Sequence, residues 1–232
     1  MPAKRKPAEP RITKAPEPER RRAARIYKRL ESLYPDAHCA LIHDNPFELL
    51  VATILSAQCT DVLVNKVTPG LFAALPTPQK MADADLAVIE SHVSRVNFWR
   101  NKAKNLHAMA NRLVDEYAGE VPQTMEDLVT LPGAARKTAN VVLGNAFNIN
   151  HGVVVDTHVG RIAKRFGLTE HDDPKKVERD LIALFPRKNW CALSHLMIYH
   201  GRQVCKARHA LCADNALCRA YCSNAKAQVM EQ

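Results

Sequence analysis

Leu131-Pro132-Gly133-Ala134-Ala135-Arg136-Lys137-Thr138-Ala139-Asn140-Val141-Val142-Leu143 is the stretch from which the fold is read. Apolar residues at Met125, Leu128 and Val129 precede it, and Ala139, Val142 and Ala146 continue at helical spacing, so helix, tight turn and second helix follow in order. That is a helix-hairpin-helix. A turn of this kind, running through Gly133 and Ala135, presents backbone N–H groups at a helix N-terminus, where peptide dipoles favour an anion such as a DNA phosphate. Contact of that sort positions a protein without reading base sequence. Lys137 falls in the first turn of the second helix, where the same dipole disfavours a cation and so favours the neutral amine, a nucleophile. Nineteen residues on, the apolar run Val153-Val154-Val155 leads to Asp156, the expected N-cap of a helix from Thr157 to Phe166. Capping alone accounts for a carboxylate there, and a lysine in a first turn is ordinarily solvated.

Working outward, the pattern is helix after helix. Ile26/Leu30/Leu33, Phe47/Leu50/Val51/Ile54 and Val177/Leu181/Leu184 each recur at spacings of three or four, and period-two alternation is nearly absent, so the fold class is all-α and these stripes are core. The 232 residues suffice for one sizeable core or two modest ones. The chain carries 33 lysines and arginines against 24 acids, a net charge of +9, which favours a polyanionic partner. Residues 1–25 hold nine basic and three acidic side chains, leaving only +3 for the remainder, together with five of the fourteen prolines and few apolar residues. That composition predicts a disordered basic tail, free to add nonspecific DNA affinity, to serve as an import signal or simply to be solvated. The tail lacks the apolar stretch of a secretory signal, and no segment approaches the roughly 20 apolar residues needed to cross a bilayer, so no membrane partner is expected.

Four of seven cysteines crowd the C-terminus as Cys205, Cys212, Cys218 and Cys222. In a chain without a secretory signal such crowding points to a metal site before disulfides. The intervals are six, five and three residues. Only the last fits the short Cys pairs of structural zinc, whereas iron–sulfur clusters take four thiolates at varied spacing. Zinc stays open as the alternative. Cys39, Cys59 and Cys191 are scattered and expected to be inert thiols.

Leu131-Pro132-Gly133 through Leu143, together with Val155-Asp156-Thr157-His158-Val159, resembles the endonuclease III family of DNA glycosylases in the helix-hairpin-helix Gly/Pro/Asp superfamily. Ile54-Leu55-Ser56-Ala57-Gln58-Cys59-Thr60-Asp61, Val64-Asn65-Lys66 and His200-Gly201-Arg202 before the cysteines extend the similarity over roughly residues 26–222. The resemblance implies a two-domain glycosylase fold. Residues 39–150 would form a six-helix domain holding the hairpin, and residues 26–38 with 151–232 a discontinuous helical domain ending in the cluster loop. DNA would lie in a cleft with Lys137 on one wall and Asp156 on the other. The family's cysteines follow Cys-x6-Cys-x2-Cys-x5-Cys, so the first interval matches but Asn215 stands at the third position, and Cys218 and Cys222 would complete a [4Fe–4S] cluster only through a rerouted loop. Lys206 and Arg208, between the first two ligands, would meet phosphates. Gln58 would fill the gap left by a flipped nucleotide, with Phe98 of Val96-Asn97-Phe98-Trp99 wedging from the other side.

The activity so implied is base excision by a bifunctional DNA glycosylase and AP lyase, with Lys137 attacking the sugar and Asp156 assisting. The partner would be double-stranded DNA bearing oxidised pyrimidines or abasic sites, bound by a monomer. Adenine-removing relatives lack the lysine and carry a glutamate where this chain has Thr53. The family hairpin reads Gly-Val-Gly, so Gly133-Ala134-Ala135 loses a glycine, which would restrict the turn, hinder close approach to a phosphate and weaken base excision more than lyase action. The wedge loop usually carries glycine at the position of Asn97. Two other classes stay open: a non-catalytic helix-hairpin-helix DNA-binding protein and a zinc-organised interaction module. The expected compartment is a prokaryotic cytoplasm, or a nucleus or mitochondrion if Lys4-Arg5-Lys6 and Arg20-Arg21-Arg22 are eukaryotic signals.

Overall fold

The computed structural model describes residues 12–208 and 211–223. All regular structure among them is helical, in the order α1 (Glu17–Leu33), α2 (Pro46–Ser56), α3 (Asp61–Ala74), α4 (Pro78–Ala82), α5 (Leu86–Val93), α6 (Trp99–Tyr117), α7 (Met125–Leu128), α8 (Arg136–Ala146), α9 (Thr157–Arg165), α10 (Pro174–Leu184), α11 (Trp190–Gln203) and α12 (Ala216–Tyr221). No described helix is long and apolar enough to cross a membrane. The residues fall into two compact units, one spanning Asp36–Val154 and the other built from the described residues on either side of it.

In the Asp36–Val154 unit, α2 is the central element. Every residue from Leu49 to Leu55 is buried, so the helix is apolar on all sides and must be surrounded. It starts where Asn45 Oδ1 accepts from the Glu48 N–H at 3.0 Å and Pro46 supplies the first helical φ. Glu48 reaches back to the Asp44 N–H at 2.8 Å. α3, α6 and α8 pack against α2, and Val64, Leu71, Leu106, Met109, Val142 and Leu143 join its side chains in one core. Seven helical segments replace the expected six, because the short α4 and α7 are single turns set by threonine caps at Thr77 and Thr124.

In the other unit, α1 packs on α10, α11 and α12, and α9 on α10 and α11. The disordered tail expected through residue 25 is corrected here, since helix begins at Glu17. Pro18 sits in the first turn with Glu17 and Glu19, which suit the positive end of the dipole, and Ala23 opens the buried stripe continued by Ile26, Tyr27 and Leu30. Leu33, expected in that stripe, is 48% exposed. Arg22 is held by the Phe166 carbonyl at 2.6 Å, and Arg22 and Arg29 lie over the Tyr221 ring at 5.6 and 5.7 Å. Arg22, which read as tail charge, is a docking group. Residues 1–11, with Lys4-Arg5-Lys6, lie outside the described residues.

Leu30 has no exposed surface. Leu30→Ala is therefore expected to cost about 2–5 kcal/mol in urea unfolding, as deletions of buried leucine side chains do. A cost below about 0.5 kcal/mol would mean that α1 is not docked in solution.

Candidate functional site

The hairpin is built as the sequence predicts. α7 ends at Leu128, Leu131 and Ala134 turn inward, and α8 starts at Arg136. Gly133 has φ +80°, and a Cβ there would meet Ile54 Cγ2 at 3.1 Å and Asn105 Cβ at 3.2 Å. Only glycine suits that conformation in that space. Ala135 is the N-cap of α8 with φ −87° and ψ 172°, and its side chain caps nothing. The restriction expected from the lost second glycine does not arise, because this backbone is open to any residue; what Ala135 adds is an exposed methyl beside the helix start. Lys137 follows on the exposed side of the first turn, while Thr138, Ala139, Val142 and Leu143 face the core.

Gln58 and Phe98 occupy two turns of the same unit. Gln58 follows α2 with φ +55°, and Phe98 precedes α6 with φ +58° and is 62% exposed. Thr53, buried on α2, donates its hydroxyl to the Leu49 carbonyl at 2.7 Å, so it carries no free acid or base.

In the other unit, Asp156 caps α9, its Oδ1 accepting from the Val159 N–H at 2.8 Å. His158 stands two residues on. Burial pushes its pKa below the ordinary value, the Asp156 carboxylate pulls it the other way, and Arg161 and Arg202 push it down again. Its Nδ1 lies 3.1 Å from Arg161 Nη2, which also donates to the Gly201 carbonyl at 3.1 Å, while Arg161 Nε donates to the Cys205 carbonyl at 3.1 Å. Arg161 thereby ties the helix that Asp156 caps to the start of the cysteine segment. Gly201 permits this closeness: a Cβ there would come 2.8 Å from His158 Nδ1.

All four C-terminal cysteines are buried. The sulfurs of Cys205, Cys212 and Cys222 lie within 4.8 Å of one another, whereas Cys218 is outside that trio, with its Sγ 3.3 Å from His200 Nε2 and a hydrogen bond to the Cys212 thiol. Asn215, at the third position of the family spacing, caps α12 by accepting from the Leu217 and Cys218 N–H groups, both at 3.1 Å. Its side chain is committed to the backbone, and the helix it starts carries Cys218 beside the three gathered sulfurs. Burial pushes the Cys212 thiol up to about 11, and a hydrogen bond with Cys222 together with burial pushes Cys205 further up, against the pull of Arg165. Buried thiols of this kind become thiolates when a metal displaces their protons, and four sulfurs with no oxygen donor suit iron–sulfur or zinc. Lys206 and Arg208 are exposed on the following segment. Arg165 fixes that segment by donating to Cys205 Sγ at 3.1 Å and to the Lys206 carbonyl at 2.9 Å.

A family model described as HhH-GPD superfamily base excision DNA repair protein matches residues 51–187. Endonuclease III of Synechocystis sp. is 51% identical over 209 residues, covering 90% of this chain and 95% of that relative. The chain belongs to the endonuclease III family. The corresponding protein of Bacillus subtilis is 41% identical over 195 residues, covering 82% of this chain and 89% of its own length. A solved structure of a trapped endonuclease III–DNA covalent intermediate matches with a TM-score of 0.84 at 41% identity, over 90% of this chain and 98% of that one. A thermostable thymine-DNA glycosylase, 18% identical with a TM-score of 0.76, shares the fold. Lys137 and Asp156 were legible from the sequence motifs; Lys102, Arg161 and Arg165 were not. Their bonds run mostly to distant backbone and leave no sequence period to find.

The capping role of Asp156 separates from any chemical one by substitution. Asp156→Ala is expected to lower stability by about 1 kcal/mol, whereas Asp156→Asn, whose amide oxygen still accepts from Val159, stays within about 0.5 kcal/mol of wild type. Chemical denaturation measures both, and equal losses would show that the cap contributes nothing.

Proposed function

We propose that this chain is a base excision repair DNA glycosylase with AP lyase activity, removing oxidised pyrimidines such as thymine glycol and cutting 3′ to the abasic site. The observation that carries the proposal is the hairpin: Gly133 turns the chain so that Lys137 emerges on the exposed side of the first turn of α8, next to a helix start that no side chain caps. The exposed turn and the first N–H groups of α8 would take a backbone phosphate. Lys206 and Arg208 would add counterion-releasing contacts to double-stranded DNA, bound by a monomer. Gln58 would occupy the space of the flipped nucleotide, and Phe98 would wedge the stack.

The chemistry then needs two residues. The Lys137 amine attacks C1′, the glycosidic bond breaks, and the base leaves with the bonding electron pair and takes up a proton. Asp156, with Oδ1 committed to the cap, would use Oδ2 to accept the proton released by the amine and to stabilise positive charge at the sugar. The sugar ring opens as O4′ is protonated, leaving a Schiff base between C1′ and the lysine. This imine acidifies the C2′ proton; its removal expels the 3′-phosphate from C3′ and cuts the strand. A [4Fe–4S] cluster held by Cys205, Cys212, Cys218 and Cys222 would supply a crosslink that organises the C-terminal segment, and no step above runs through it.

The Ala135 methyl would keep a phosphate slightly farther from the hairpin than glycine would. Base excision, which depends on holding the lesion nucleotide, is expected to suffer more than cleavage at a preformed abasic site. Single-turnover incision of two duplexes tests this, one with an abasic site and one with thymine glycol. Both should be cut, the abasic duplex faster, and Lys137→Ala should slow both by about three orders of magnitude or more. Equal, fast rates on both would refute the weakened glycosylase step, and binding without incision of either would refute the enzyme. The purified protein should be brown and contain iron and acid-labile sulfide; zinc in their place would refute the cluster.

A further inference from the structure

Lys102 lies on the first turn of α6 and is only 6% exposed. Its ammonium donates to the carbonyls of Leu55 at 2.8 Å and Ala57 at 2.6 Å, with Cys59 Sγ 3.6 Å away. Those carbonyls belong to the C-terminal end of α2, where the helix dipole welcomes a cation. Cys59 Sγ in turn accepts from the Asn97 N–H at 3.2 Å, and Asn97 Nδ2 donates to the Gln58 carbonyl at 2.7 Å. One buried cation, one thiol and one amide therefore stitch the turn carrying Gln58 to the turn carrying Phe98. Both tips are non-glycine residues held at positive φ, a conformation such residues keep only where their surroundings impose it. Burying an ammonium among neutral acceptors is costly, and what that arrangement visibly achieves here is the fixed geometry of the two turns.

We propose that Asn97 and Lys102 are positioning residues that join Gln58 and Phe98 into one rigid two-pronged wedge, so that discrimination of the base opposite the lesion depends on the coupling between the prongs. This rests on the DNA glycosylase function proposed above. Gln58 would reach the orphaned partner base only from the height and angle that the Asn97 amide sets, and Phe98 stands next to the residue that supplies the amide. A glycine at position 97 would offer neither the side-chain bond nor the same stiffness.

A double-mutant cycle tests the coupling. Affinity is measured for duplexes carrying a stable abasic-site analogue opposite each of the four bases, using wild type, Gln58→Ala, Phe98→Ala and the double variant, all repeated in an Asn97→Ala background. Asn97 is exposed and its φ is not positive, so the alanine variant is expected to fold; thermal unfolding checks this, and Asn97→Gly serves as a second variant. In the native background the two losses should be non-multiplicative by about 3- to 10-fold. With Asn97→Ala or Asn97→Gly they should become multiplicative, and the preference among opposite bases should flatten. A structural role alone would lower affinity equally for all four duplexes and leave the coupling intact. Losses that multiply in every background would overturn the proposal while leaving the glycosylase function standing. Single variants with no effect on affinity or opposite-base preference would overturn the wedge altogether.

Discussion

The hairpin depends on Gly133, whose φ of +80° and crowded Cβ position admit no other residue without displacing Ile54 or Asn105. Because those two neighbours sit on α2 and α6, the turn is registered against the central helices of its unit before α8 begins. α8 then has one buried side, through Ala139, Val142 and Leu143, and the position of Lys137 on the other side follows. Under the proposed function, a nucleophile on a rigid helix start next to groups suited to phosphate would be held where a sugar would arrive, so little conformational entropy would be lost at the moment of reaction.

The second unit meets a different constraint. Its helices pack around Ile26, Leu30, Phe166, Trp190 and Leu193, but its C-terminal segment has few large apolar residues and is organised by polar anchors. Arg161 and Arg165 reach from α9 to the Gly201, Cys205 and Lys206 carbonyls, and the buried His200 ring joins Tyr34 of the segment after α1, at 3.0 Å, to Cys218 of α12. The helix that Asp156 caps is thus fixed by the same arginines that fix the cysteines. Disorder in the cysteine segment would reach the Asp156 cap through Arg161, which holds the Gly201 and Cys205 carbonyls.

What the sequence made legible follows from what leaves a periodic or local signal. Helical spacing identified the core stripes of α2 and α10, and the Leu-Pro-Gly turn identified the hairpin, because both are written in consecutive residues. The first turns of α1 escaped because its N-terminal buried stripe rests on Ala23 alone amid arginines, and docking through Arg22 depends on carbonyls more than 140 residues away. The expected restriction at Ala135 failed because a missing glycine shows what another backbone tolerates, not the φ of this one. The cysteine spacing was readable as a departure, but Asn215 as the cap of the helix that carries Cys218 required the structure. Lys102 left no signal at all, since a buried lysine satisfied by carbonyls looks in sequence like any surface lysine.

The most direct measurement is borohydride reduction of the protein on a duplex with one abasic site, followed by mass-spectrometric mapping of the peptide joined to DNA. The predicted result is a covalent adduct on the peptide containing Lys137, lost in Lys137→Ala and formed more slowly in Asp156→Asn. An adduct at another lysine, or none while DNA remains bound, would contradict the assignment of Lys137 as the nucleophile.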